Sequence, residues 1–91
     1  MTDQQTGEKK TRLTHRASRA FKKRALALTL PADFTDRVVH KLPHLDSRAG
    51  RVRISQVKTG AVANETITEA LEEVSREYVA EIVQAQQRLA Q

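Results

Sequence analysis

The chain has no cysteine and no tryptophan among its 91 residues, which excludes disulfides, thiol catalysis and cysteine-ligated zinc. Aromatics amount to one Tyr and two Phe, so few large side chains are available to fill a core. A chain this short and this poor in bulk gains burial by pairing, and a homodimer is the expectation. No apolar run approaches the roughly 20 residues needed to cross a bilayer. Residues 1–10 are polar and lack the apolar centre of a secretory signal, so a cytoplasmic protein with no membrane partner is expected. Only two Pro and three Gly interrupt the chain. Pro31, Pro43 and Gly50 therefore mark the candidate breaks.

What the sequence has in excess is positive charge, unevenly placed. Lys and Arg number 16 against 11 Asp and Glu, a net charge of +5. Residues 1–24 hold eight basic and two acidic residues, and residues 44–60 hold four basic and one acidic. Residues 61–91 reverse the sign, with six Glu against Arg76 and Arg88. A basic front and an acidic rear can separate a polyanion-binding surface from an associating one. Double-stranded DNA is the expected partner, because Lys and Arg that neutralise phosphates release counterions and so support binding of any sequence. Arg16, Arg19, Lys22, Lys23 and Arg24 are the candidate phosphate contacts. Residues 1–23 are expected to be a disordered basic arm, and residues 24–91 a dimeric DNA-binding domain with a long C-terminal helix.

Residues 13–28 are rich in Ala, Lys, Arg and Leu, which favours helix, yet residues 24–30 alternate with the period of a strand. A strand there would place Leu26, Leu28 and Leu30 on one face and Ala25, Ala27 and Thr29 on the other. Pro31, with Asp33 and Asp36 following, suits a helix N-terminus, and a short helix is expected over residues 32–42 with Phe34, Val38, Val39 and Leu42 as its apolar stripe. Pro43 should stop it. Residues 43–55 read as a loop, and residues 51–57 as a short extended segment. Ile67, Leu71, Val74, Tyr78, Ile82, Ala85 and Leu89 then recur at spacings of three and four, the stripe of an amphipathic helix. It begins either near Gln56 or at Asn64, whose side chain suits an N-cap. Such a helix spans about 38 Å, more than an 11-residue helix of the same chain can cover. Ile67, Leu71, Val74, Tyr78 and Ile82, with Leu26, Leu28 and Leu30, are the expected dimer contacts.

Residues 26–31 followed by residues 32–42, and then Glu65-Thr-Ile-Thr-Glu-Ala-Leu-Glu-Glu-Val74, resemble the strand, first helix and second helix of the ribbon-helix-helix DNA-binding proteins of the Arc, MetJ and CopG kind. The resemblance implies a mainly α fold with one short N-terminal strand, and a dimer whose paired strands enter the major groove. It assigns Ala25, Ala27 and Thr29 to the bases and Asn64 to a phosphate at the helix N-terminus. A small transcriptional repressor, or an accessory protein of plasmid maintenance or transfer associated with the nucleoid, is the implied function.

Arg53-Ile-Ser55 before a long helix is also similar to the basic first loop and central helix of the histone fold, which would turn Arg51 and Arg53 towards phosphates. A histone-like DNA-packaging protein is thus one alternative, and a helical adaptor for RNA, the ribosome or another protein is a second. His40 and His44 stand four apart with Pro43 between them, which breaks the helical spacing a metal site needs. No nucleophile elbow, phosphate loop or paired-carboxylate pocket is present. Neither an enzyme, a cofactor nor a bound metal is expected.

Overall fold

The computed structural model describes residues 15–90, and among them it contains four α-helices, one 3₁₀ turn and no strand. Helix α1 spans His15–Leu26, α2 Phe34–Lys41, the 3₁₀ turn Pro43–Leu45, α3 Arg48–Lys58 and α4 Glu65–Ala90. The expected fold, mainly α with one short N-terminal strand in a ribbon-helix-helix, is overturned, because its defining strand is absent and the described residues are helical instead: residues 24–26 complete α1, Ala27 forms a turn and residues 28–30 are irregular. The helical preference of Ala, Lys, Arg and Leu prevails over the two-residue alternation. Nor do the three leucines share a face. Leu28 and Leu30 pack against the core, whereas Leu26 is 63% exposed. Helix α1 also takes up residues 15–23, which the sequence placed in a disordered arm, and it runs across the expected boundary at residue 24. Residues 1–14 of that arm lie outside the described residues.

Helix α2 forms where Pro31 and the following Asp residues predict. Val38 and Val39 are buried, with Phe34 and Leu42 packed beside them. Asp33 occupies the N-cap position without making a side-chain cap. It accepts instead from Arg37, four residues on, at 3.0 Å.

Helix α3 replaces the expected loop and extended segment. Ser47 caps it, its hydroxyl accepting from the Gly50 N–H at 3.0 Å, which satisfies an end group that a helix otherwise leaves open. Gly50, Ile54 and Val57, spaced four and three, form its buried face. Gly50 acts here as a spacer rather than a breaker: a Cβ at this position would run into the Leu45 backbone, with the Leu45 Cα at 2.8 Å. The helix ends in a Schellman turn, Ala61 N–H donating to the Gln56 carbonyl at 2.9 Å and Gly60 N–H to that of Val57 at 3.1 Å. Gly60 carries the positive φ of 80° that this ending requires.

After the connecting residues 59–64, α4 starts, capped by Asn64, whose Oδ1 accepts from the Ile67 N–H at 2.9 Å. Helices α1, α2 and α3 all pack against α4, and every helix contributes to one core: Ala25, Val38, Val39, Ile54, Val57, Ile67, Ala70, Leu71 and Val74. The core reaches only as far as Val74 and Ser75 along α4. The three short helices thus make a cap on the first half of a long spine. No described helix is long and apolar enough to cross a membrane.

Candidate nucleic-acid interface

The fold divides the basic residues into two groups. In the first, each side chain is held by carboxylates of the same chain. Arg24 of α1 grips Glu72 of α4 with two hydrogen bonds, at 3.0 and 2.6 Å, and its guanidinium lies 5.1 Å from the Phe21 ring centre. Arg37 grips Glu81 at 2.8 and 3.3 Å. Lys41 reaches both Glu73, at 3.1 Å, and Glu77, at 3.0 Å. Arg51 joins Asp36 at 2.7 Å and Asp46 at 3.3 Å. Glu72, Glu73, Glu77 and Glu81 of α4 therefore hold cations from α1 and α2 rather than facing solvent alone.

The same contacts shift the titration of both partners. Hydrogen bonds from Arg24 and Arg37 hold Glu72 and Glu81 below the ordinary carboxylate value. Hydrogen bonds to Glu72, Glu81 and Asp36 raise Arg24, Arg37 and Arg51, and those to Glu77 and Glu73 raise Lys41. These pairs are substantially exposed, so each adds little net stability. They join α1 and α2 to α4 across its flanks.

The second group has no carboxylate within ion-pair distance among the described residues: Arg16, Arg19, Lys22 and Lys23 on α1, Arg48, Arg53 and Lys58 on α3, and Arg76 and Arg88 on α4. Arg16, Arg19 and Lys23 are exposed and separated by three and four residues, so they line one outer face of α1. Lys58 lies 5.1 Å from the Phe34 ring centre, a cation–π contact that ties it to α2. Arg53 lines an open cleft of about 330 Å³ with His44, Leu45, Asn64, Thr66 and Ile67, at the N-terminus of α4. Because α1 and α3 pack against each other, the free cations of these two helices belong to the same cap.

The residues proposed from sequence scatter accordingly. Arg16, Arg19, Lys22, Lys23 and Arg53 remain available to an anion, whereas Arg24 and Arg51 are committed to carboxylates. Ala25 is 2% exposed and belongs to the core, so it cannot read a base. Ala27 and Thr29 are exposed, but in a turn and an irregular segment, and the Thr29 carbonyl accepts from the buried Ser75 hydroxyl at 2.8 Å. The three therefore do not form the alternating face that a ribbon would present. Asn64 borders the cleft but spends its side-chain oxygen on the helix cap. Arg53 lies inside α3, not in a basic loop of the kind the histone likeness implies.

Of the expected dimer contacts, Ile67, Leu71 and Val74 are consumed by the core of their own chain. Tyr78 and Ile82 are only half-buried. Sequence reasoning missed Arg48 and Lys58, because the loop expected over residues 43–55 concealed α3; Ser47 followed by apolar residues at spacings of four and three was the available signal. Among the described residues no group of three or more His, Cys, Asp or Glu is placed to hold a metal. No protein-family model, curated protein or solved structure matches the chain.

Proposed function

We propose that this chain is a DNA-binding protein that grips the phosphate backbone of a duplex through the free cations of its helical cap. The observation that carries the proposal is the sorting of charge: Arg24, Arg37, Lys41 and Arg51 are neutralised within the fold, while Arg16, Arg19 and Lys23 stand along one face of α1 with no carboxylate at ion-pair distance among the described residues. An array of unneutralised cations on a rigid helix lowers its own electrostatic free energy by meeting a polyanion. Arg53, beside the positive end of the α4 dipole, adds a second contact of the same kind. Glu65, in the first turn of α4, offsets part of that field, which makes α1 the stronger element.

Binding of this kind is weakly selective for sequence, since phosphate contacts position a protein without reading bases. It suits a nucleoid-associated or accessory DNA-binding protein; a repressor would in addition need a reading head. The test is a fluorescence-anisotropy titration of a short duplex at several salt concentrations. The triple variant Arg16→Ala, Arg19→Ala, Lys23→Ala should weaken binding to every duplex alike and flatten the log–log salt slope by about 2.7, roughly 0.9 for each phosphate that is no longer neutralised. Arg51→Ala should leave that slope nearly unchanged. An unchanged slope in the triple variant, or affinity for structured RNA alone, would refute the proposal.

A further inference from the structure

The apolar stripe of α4 does not stop where its cover stops. Ile67, Leu71 and Val74 lie under the cap, Tyr78 and Ile82 are half-buried at its edge, and Leu89, on the same stripe, is 87% exposed. Val79 and Val83, each 44% exposed, widen the bare surface on one flank. Glu81 is the last α4 residue that another described element holds, through Arg37. Beyond it, residues 82–87 read Ile-Val-Gln-Ala-Gln-Gln and contain no charge. We infer that this distal half of α4 is the seam of a homodimer in which two α4 helices run antiparallel, each covering the stripe of the other.

Charge favours a second copy as the occupant. A strongly charged partner would find nothing to pair with over residues 82–87, whereas an identical segment meets no like charge there. The acids that could repel a copy, Glu72, Glu73, Glu77 and Glu81, are already held by Arg24, Lys41 and Arg37. Glutamine at a seam is tolerated because its amide donates and accepts across the same contact.

Orientation follows from where the cap sits. Proximal and distal parts of the stripe share one helix face, so the cap occupies, further down the axis, the same side that a partner helix must approach. Packed helices lie about 8–10 Å apart. A parallel partner at that distance would drive its own first half through the cap of its mate. Reversing the partner removes the collision, since the two caps then lie at opposite ends. Pairing Ile82 with Leu89 of the second copy puts the two-fold axis beside Ala85, an isologous arrangement of the kind closed dimers use. The two Leu71 side chains, one in each cap, are then separated by about 44 Å along the helices. That is of the order of one turn of duplex, roughly 34–36 Å, so two caps could engage one face of the same DNA. Only this last consequence rests on the DNA reading; the pairing is measured without nucleic acid.

The native absence of cysteine gives a clean test on the full chain. Sedimentation equilibrium should return twice the monomer mass, and Ile82→Glu with Leu89→Glu should return the monomer mass with unchanged helical circular dichroism. Under mild oxidation Ala85→Cys should cross-link to itself. Leu89→Cys alone should not, because its two copies would stand about 10 Å apart along the axis, beyond the roughly 7 Å limit of a disulfide. A mixture of Leu89→Cys and Ile82→Cys should give the crossed dimer. A wild-type chain that stays monomeric up to its solubility limit overturns the pairing. Dimerisation that survives the double Glu variant overturns the seam, and self-cross-linking of Leu89→Cys overturns the antiparallel orientation. Loss of DNA binding with the dimer intact would count against the proposed function alone.

Discussion

The two halves of α4 carry the same periodic stripe and meet opposite fates. Leu71 is fully buried, while Leu89, eighteen positions further along the same face, is 87% exposed. Charged residues diverge in the same way: Glu72, Glu73 and Glu77 are gripped by α1 and α2, whereas Arg88 has no carboxylate partner among the described residues. Amphipathic spacing thus specifies which face of a helix seeks cover, but whether it finds cover depends on where neighbouring helices end. One half of α4 is the spine of a folded cap, and the other is an apolar surface held out from it.

The contrast between the halves is broken most sharply by truncating the same residue type in each. Leu71→Ala should lower the unfolding free energy by about 2–5 kcal/mol, the range for deleting a fully buried leucine. Leu89→Ala should change the stability of the isolated subunit by less than about 0.5 kcal/mol. Denaturant unfolding at low protein concentration compares them directly, and equal losses would mean that the distal half is covered after all. Next in size is Gly50→Ala, whose Cβ meets the Leu45 backbone and should cost about 1–3 kcal/mol through overpacking, with a lowered melting temperature as the readout.

Ser75→Ala should cost about 1 kcal/mol, because it removes the hydrogen bond that ties α4 to the Thr29 carbonyl. Gln84→Ala, on the distal half, should be neutral in the same measurement. The smallest effect belongs to pH. Glu72 and Glu81 titrate below the ordinary value of 4.5 in the folded chain, so the unfolded chain binds more protons as acid is added. Their contribution is complete above about pH 5 and is lost as pH falls through their depressed values. Wild-type stability should therefore be flat with respect to these groups near neutrality and decline below about pH 4.5. The decline should be shallower in a Glu72→Gln, Glu81→Gln variant.

Elements whose signals are local were legible in the residues. The spacing from Ile67 to Leu89 gives α4, with Asn64 as one of two candidate starts, and Pro31, Val38, Val39 and Pro43 give α2. The errors fell where a local pattern has two solutions. Leu26, Leu28 and Leu30 alternate as a strand would, but α1 carries the helix through Leu26 and leaves the other two leucines to pack from an irregular segment. Gly50 and the β-branched Val52, Ile54 and Val57 disguised α3. Only the close approach of the Leu45 backbone explains why a glycine belongs inside that helix.

Composition, spacing and capping residues alone determined that this chain would be helical, cationic at its front and amphipathic over its last third, because each of those properties is a sum over near neighbours. Tertiary structure alone decided which cations are spent on carboxylates and which remain free, and how far along α4 its apolar stripe is covered. Both depend largely on contacts between residues far apart in sequence, such as Arg24 with Glu72, 48 positions away, and Lys41 with Glu73, 32 positions away. Those contacts are set by how three short helices pack on a longer one, and local pattern carries no record of that geometry.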